Sequence, residues 1–296
     1  MAICYVARAK INLCLDILGR YANGYHEIAT VMQSLALGDR IFLEAAAGLT
    51  LTVEGEPVPE GEANLVVRAA RRLAEATGYR GGAVITLVKR IPVAAGLGGG
   101  SADAAATLVG LNELWGLGCD TAFLAALGAE IGADIPFCLT GGTALATGRG
   151  ERIRHLPALP ELGVLLLKPP YGISTGEAYR DYDLLAPKWE PVAAAMAAAF
   201  DRGAWREALG YCGNAFEAVA FRKHPELARL KQELKEAGAL AALMSGSGPT
   251  LYGLFPSVEA ASRAAQVFSG RDLRVIVTAT TAAGLGRREE SPLDAG

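Results

Sequence analysis

Pro92-Val93-Ala94-Ala95-Gly96-Leu97-Gly98-Gly99-Gly100-Ser101-Ala102 is the stretch on which the reading turns. Before it, Ala83–Lys89 has the short apolar character of a strand. After it, Ala102 to about Trp115 is rich in Ala and Leu and predicts a helix. Glycine permits positive φ and lets backbone approach a ligand closely. The first N–H groups of a helix lack internal partners and sit at the positive end of its dipole. A glycine loop running into a helix is therefore a candidate anion site, most often for phosphate. Ser101 is placed as the helix N-cap, or as a hydroxyl touching phosphate or its magnesium ion. Asp103 lies in the first turn, where a carboxylate suits the dipole and could also meet magnesium. A purely structural loop with a capped helix is the plain alternative. No Gly-Lys-Ser/Thr follows, so this is not a Walker loop. Ser101 stands where the dinucleotide fingerprint needs its last glycine. The protein-kinase H-R-D and D-F-G loops are absent.

Outward from the loop, hairpins alternate with crossover helices. Ile3–Ala7, Ile11–Leu18, Ile28–Leu37, Ile41–Ala45 and Leu49–Val53 read as strands, with Asn23-Gly24 as a turn. Asn64 opens a helix that stops at Gly78. Helices are predicted over Thr121–Ile131, Thr175–Arg180, Pro191–Phe200, Asn214–Phe221, Pro225–Ala237 and Val258–Phe268. Further strands are predicted over Thr143–Thr147, Arg152–His155, Gly163–Lys168, Leu240–Met244, Thr250–Phe255 and Arg274–Thr280. This mixture predicts an α+β fold. Pro157 and Pro160 mark a linker, which divides the chain into domains over 1–155 and 156–285. A charged tail over 286–296 is expected to be disordered.

Bulk composition narrows the partners. The 296 residues carry a net charge of only -3, so no strong field draws nucleic acid or an anionic membrane. A binder of anionic metabolites then needs a local device, and the glycine loop is one. No uncharged apolar run reaches the ~18 residues of a membrane span, and the N-terminus lacks the order of a secretory signal. A cytoplasmic protein is expected, either monomer or homodimer. The five cysteines form no C-x-x-C pair, and the three histidines lack metal-ligand spacing, so no protein-only metal site is expected.

Three further motifs carry polar chemistry. In Ala9-Lys10-Ile11-Asn12-Leu13, Lys10 and Asn12 fall on one face of a strand. They read as a site lining or as a solvated edge. After the turn come Tyr25, His26 and Glu27, where an aromatic ring beside an imidazole suits a nucleobase. Asp134, in Ile131-Gly-Ala-Asp-Ile-Pro-Phe137, is a carboxylate among apolar neighbours and needs a partner. It reads as a helix N-cap or as a base held by a lysine. Ser245-Gly246-Ser247-Gly248 reads as a hairpin turn or as a second set of amides near phosphate.

Together these motifs, in this order, resemble the GHMP kinases, and the resemblance runs from about residue 3 to residue 280. It implies two domains with the active site in the cleft between them. It implies ATP as phosphoryl donor, with Mg2+, and a small-molecule alcohol as acceptor. Ala9 to Leu13, Gly19-Arg20 with Asn23 to Glu27, and the run Gly96 to Ser101 point within the family to a cytidyl substrate. The implied reaction is phosphorylation of the 2-hydroxyl of 4-diphosphocytidyl-2-C-methyl-D-erythritol, in non-mevalonate isoprenoid precursor biosynthesis. Asp134 is then the base and Lys10 its charge partner. Pro92 to Ala102 bind ATP, and the Ser245 to Gly248 turn lies near phosphate. Asn12 lies near the substrate phosphates, and Tyr25 and His26 hold the cytosine. A second aromatic is expected from the second domain, Tyr179 first and Tyr171 second. Some relatives read Ser-Ser-Asn where this chain reads Ser101-Ala102-Asp103, which leaves the role of position 103 open. The alternatives are a homoserine or mevalonate kinase of the same family, or a non-catalytic nucleotide sensor.

Overall fold

The N-terminal apolar segments form one long hairpin. Strands β1 (Ile3–Arg20) and β2 (His26–Ala46) pair antiparallel across the Asn23-Gly24 turn, where Gly24 has φ +87°. Four strands are expected here, and two are found. The polar interruptions that look like strand ends are register shifts, one of them between Arg8 and Lys10. That shift redirects the side chains. Tyr5 and Ala7 enter one core, whereas Ala9, Ile11 and Leu13 enter another.

The computed structural model describes residues 2–186 and 189–288. After the hairpin come β3 (Thr50–Glu54), α1 (Leu65–Thr77), β4 (Gly82–Val88), α2 (Gly99–Leu114), α3 (Thr121–Ile131) and α4 (Ile135–Thr140). Next are β5 (Thr143–Gly148), β6 (Arg152–His155), β7 (Gly163–Lys168), α5 (Thr175–Asp183), α6 (Ala193–Asp201) and α7 (Trp205–Leu209). The chain continues through β8 (Gly213–Asn214), α8 (Glu217–Lys223), α9 (Pro225–Glu236), β9 (Ala241–Met244) and β10 (Leu251–Phe255). It closes with α10 (Val258–Ala265), β11 (Arg274–Ala279) and β12 (Leu285–Arg288). Helix α1 carries the caps its sequence predicts: Asn64 accepts from the Val66 amide, and Gly78 ends it with φ +70°.

Two sheets result. The first has the path β12-β1-β2-β4-β3, with β5 and β6 added beyond β2 and β8 pairing β1. The second runs β11-β7-β10-β9 and is antiparallel throughout. One core lies between the first sheet and α1 to α4. A second joins the sheets, with Ile11 and Leu13 packing beside Leu166, Leu243 and Leu254. A third lies between the second sheet and helices that include α5 and α8 to α10. Residues 156–162 connect β6 of the first sheet to β7 of the second. The mixed architecture is α+β, as the sequence predicts.

Two expectations are corrected. Helix α2 starts at Gly99, two residues before Ser101, and its N-cap is Gly98 in the left-handed region. Ser101 therefore sits inside the first turn. The tail expected to be disordered from 286 is paired as far as Arg288, because Leu285–Arg288 form a strand against Cys4–Ala7. Residues 289–296 lie outside the described residues.

Candidate active site

Gly96 joins the glycine loop to the Ser245 turn. It has φ +75°, and a Cβ there would lie 2.1 Å from the Ser245 carbonyl oxygen. Ser245 Oγ donates back to the Gly96 carbonyl at 2.9 Å. The two loops can touch backbone to backbone only because no side chain intervenes. Asn214 fixes the turn from behind, donating to the carbonyls of Met244 and Gly246, each at 2.8 Å. Nothing in its local sequence singles Asn214 out; only the return of β8 to the first sheet brings it there.

Lys10 reaches this junction from β1. Its Nζ donates to Asn12 Oδ1 at 2.8 Å and to the Gly96 carbonyl at 3.2 Å, and lies 3.4 Å from Asp134 Oδ2. The lysine stem passes over Gly98, where a Cβ would come within 2.9 Å of Lys10 Cγ. Gly98 thus serves both the left-handed helix entry and the room for the lysine. Lys10 and Asn12 are buried, so the solvated-edge reading of this strand face fails. Asn12 is held through Thr30 at 2.8 Å, and Tyr252 donates to its carbonyl at 2.8 Å. Asp134 occupies the N-cap position of α4 but makes no capping bond. Its carboxylate turns to Lys10 instead and stays about one-third exposed to the cleft.

Two cavities meet here. One, of about 300 Å³, is lined by Val58, Pro59, Asn64, Leu65 and the glycine loop from Pro92 to Ser101. The other, of about 830 Å³, holds Lys10, Asn12, Asp134, Tyr25, His26 and Tyr179. Gly96, Gly98 and Ser101 line both, so the glycine loop is the wall between them. The amides at N-cap and the first three helical positions, Gly98 to Ser101, are those a helix leaves without internal partners. Ala102 is different: its amide donates to the Gly98 carbonyl at 2.9 Å and its side chain is in the core. The structure therefore removes Ala102 from the residues able to touch a phosphate.

Asp103, whose role the sequence left open, lines the smaller cavity beside Lys89, which engages its carboxylate. It is buried, and Lys89 Nζ bridges it at 2.8 Å to Asp39, with which the lysine makes a short contact. Asp39 accepts the backbone N–H groups of Arg90 and Ile91 and so anchors the strand entering the loop. Burial, with the Asp39 charge adding, raises the Asp103 carboxyl well above the usual carboxylate range. Lys89 is pushed above its ordinary value by the two carboxylates, which outweigh its burial.

At the far end of the larger cavity, the His26 ring stacks on Tyr179 at 4.3 Å and 13°. Burial, with the Asp134 charge adding, pushes the Tyr179 phenol up to about 12. Tyr25 stands at the exposed rim with the Arg149 guanidinium 5.3 Å from its ring centroid. Tyr171 does not join them; it stacks on His224 and donates to Glu226. Ser247 of the second turn lines the larger cavity and contacts Thr175 Oγ1 at 2.9 Å. Cations ring this cavity: Arg20, already part of the Gly19-Arg20 motif, and Arg68, Arg149 and Arg180, which the sequence reading misses, join Lys10 there. Arg68 had a signal, since it stands one turn after the cap Asn64. The others come from separate turns and helices.

The chain matches known proteins over most of its length. The family profile described as GHMP kinases N terminal domain matches residues 64–142, and that described as GHMP kinases C terminal matches residues 193–271. The chain is 51% identical over 283 residues to the 4-diphosphocytidyl-2-C-methyl-D-erythritol kinase of Pelotomaculum thermopropionicum, covering 95% of this chain and 98% of that one. It is 46% identical to the enzyme of the same name from Geobacillus kaustophilus, covering 91% and 93%. A crystal structure of 4-(cytidine 5'-diphospho)-2C-methyl-D-erythritol kinase superposes with a TM-score of 0.78 at 35% identity, covering 94% and 98%. The chain belongs to the 4-diphosphocytidyl-2-C-methyl-D-erythritol kinases of the GHMP kinase family.

Proposed function

We propose that this chain transfers the terminal phosphoryl group of ATP to the 2-hydroxyl of 4-diphosphocytidyl-2-C-methyl-D-erythritol, in the non-mevalonate route to isoprenoid precursors. The observation that carries the mechanism is the shared wall: one loop lines both cavities, with the Lys10–Asp134 pair on its acceptor side. The nucleotide occupies the smaller cavity, its phosphates on the free amides of Gly98 to Ser101. The acceptor alcohol occupies the larger one, its diphosphate among the arginines and its cytosine near Tyr25, His26 and Tyr179. The terminal phosphorus then faces the alcohol at the rim the cavities share.

In the reaction the hydroxyl oxygen bonds to the γ-phosphorus, the bond to the β–γ bridging oxygen breaks, and ADP leaves. Phosphoryl transfer needs alignment and charge neutralisation more than covalent help from the protein. Alignment of the two reactants contributes roughly 7–11 kcal/mol. Lys10 and the helix amides face the charge that develops on the phosphoryl oxygens. Asp134 orients the hydroxyl and receives its proton, which adds about 10²–10⁴-fold.

Magnesium is expected to arrive with the nucleotide. Ser101 suits it, since its hydroxyl borders both cavities and makes no hydrogen bond among the described residues. Mg2+ characteristically keeps waters and takes few protein oxygens beside phosphate. When bound, the ion would neutralise charge on the β- and γ-phosphates. We place the enzyme in the cytoplasm, with small metabolites rather than nucleic acid as partners. Among the described residues no helix is long and apolar enough to cross a membrane.

The test is ADP release with the cytidyl diphosphate alcohol, with and without magnesium, beside homoserine and mevalonate. Turnover confined to the cytidyl alcohol and dependent on the ion is the expected result. Turnover of homoserine or mevalonate instead, or ATP binding without turnover, would overturn the proposal.

A further inference from the structure

Asp183, the last residue of α5, reaches across the larger cavity to the N-terminal hairpin. Its Oδ1 lies 2.7 Å from His26 Nε2, and its Oδ2 lies 3.5 Å from an Arg20 guanidinium nitrogen. Tyr179, one turn earlier on the same helix, stacks on the face of the same imidazole. Helix α5 therefore grips the ring by face and by edge. The His26 side chain is only 8% exposed and its ring is held in place, while the Asp183 carboxylate that holds it is about one-third exposed to the cavity side.

The edge contact has a chemical consequence. A neutral imidazole carries one proton, and the nitrogen without it is an acceptor. The hydrogen bond made by one ring nitrogen decides which tautomer is present. A carboxylate at Nε2 keeps the proton there and leaves Nδ1 with its lone pair. Nδ1 has no hydrogen-bond partner among the described residues, and His26 lines the cavity. Cytosine presents an exocyclic amine where uracil presents a carbonyl oxygen. A fixed acceptor welcomes the first and repels the second.

We infer that Asp183 is a positioning residue for base specificity: by holding the proton on His26 Nε2, it makes the cavity select an amino-bearing pyrimidine over uracil. The inference rests on the proposed function, which puts the cytosine beside His26.

The test uses the full chain, ATP, and two acceptors that differ only in base, the cytidyl and uridyl diphosphate methylerythritols. Wild type is expected to favour the cytidyl acceptor. Asp183→Ala is expected to raise the KM for that acceptor about tenfold, the scale of one lost charge-assisted hydrogen bond. The KM for ATP should stay unchanged, and the cytidyl-to-uridyl ratio of kcat/KM should narrow. In a His26→Ala background the same substitution should leave that ratio where it is. Nitrogen-15 NMR of His26, at a pH where the ring carries a single proton, should show that proton on Nε2 in wild type and mixed tautomers in Asp183→Ala. An equal loss for both bases, additivity with His26→Ala, or an unchanged tautomer would overturn the inference. A wild type that uses both acceptors alike, or neither, overturns the reading of the cavity itself, and shows this before any variant is made.

Discussion

Lys10 Nζ and Asp134 Oδ2 lie 3.4 Å apart at the edge of the glycine loop, although 124 residues separate them in the chain. The lysine is fixed by the Gly96 carbonyl and Asn12, while the carboxylate keeps a face open to the cleft. An aspartate that served only as the N-cap of α4 would spend its oxygens on the first amides of that helix, and Asp134 does not. Asp134→Asn keeps the shape and removes the proton acceptor. We expect kcat to fall by about 10²–10⁴-fold while ATP affinity changes little. Steady-state kinetics beside nucleotide titration checks this, and full activity in the variant would refute the role.

His26 and Tyr179 stack on each other where they line the larger cavity, and neither lines the glycine loop cavity. His26→Ala should therefore raise the KM for the cytidyl acceptor and leave the KM for ATP nearly unchanged. One lost hydrogen bond and ring contact corresponds to about 10-fold or more in affinity. Equal losses for both ligands would contradict the assignment.

Much of this was legible in the sequence, for local reasons. Asn64 and Gly78 bound α1 because caps act within a few residues. The glycine loop was legible because positive φ and close approach need that residue type. Less was legible where long-range packing decides. The strand breaks read near Arg8 and Gly38 are register shifts, held because the partner strand continues. Ser101 has a good capping side chain, yet Gly98 caps α2, since the lysine stem needs the space above it. The arginine ring, Asn214 and Asp183 come from segments that meet only after folding. The role of Asp103 depends on Lys89 and Asp39, and the Asp39 partner lies 64 residues away.

Gly96→Ala tests the contact between the two loops. The new Cβ would meet a backbone oxygen at 2.1 Å, and the residue would hold φ +75°. Neither atom is the end of a flexible side chain, so relief requires the loops to separate. Backbone strain alone costs on the order of 1–3 kcal/mol, and the clash adds to it. We expect a stability loss of several times the ~0.5 kcal/mol typical of a surface substitution, together with loss of turnover. Urea denaturation and the kinase assay check both. A variant as stable as wild type would mean that the loops do not pack this way.

Asp39, Lys89 and Asp103 make a prediction about pH. Two carboxylates share one buried lysine, and Asp103 Oδ1 is buried without a hydrogen-bond partner. Asp103 is raised well above its ordinary 3.8 by burial and by Asp39. A raised carboxyl binds its proton more tightly in the folded state than in the unfolded one. The stability this proton confers is present below the unfolded value and is lost as pH rises toward the folded one. Asp103→Asn removes that titration and offers an amide that can accept from Lys89 and donate to Asp39. The variant should therefore gain on wild type as pH rises from about 4 to 7, measured by urea unfolding at each pH. Lys89→Met should act oppositely at neutral pH, because it leaves two buried carboxylates uncompensated, at a cost of about 3–5 kcal/mol. A stability difference between wild type and Asp103→Asn that is flat across this range would show that Asp103 keeps an ordinary carboxylate titration.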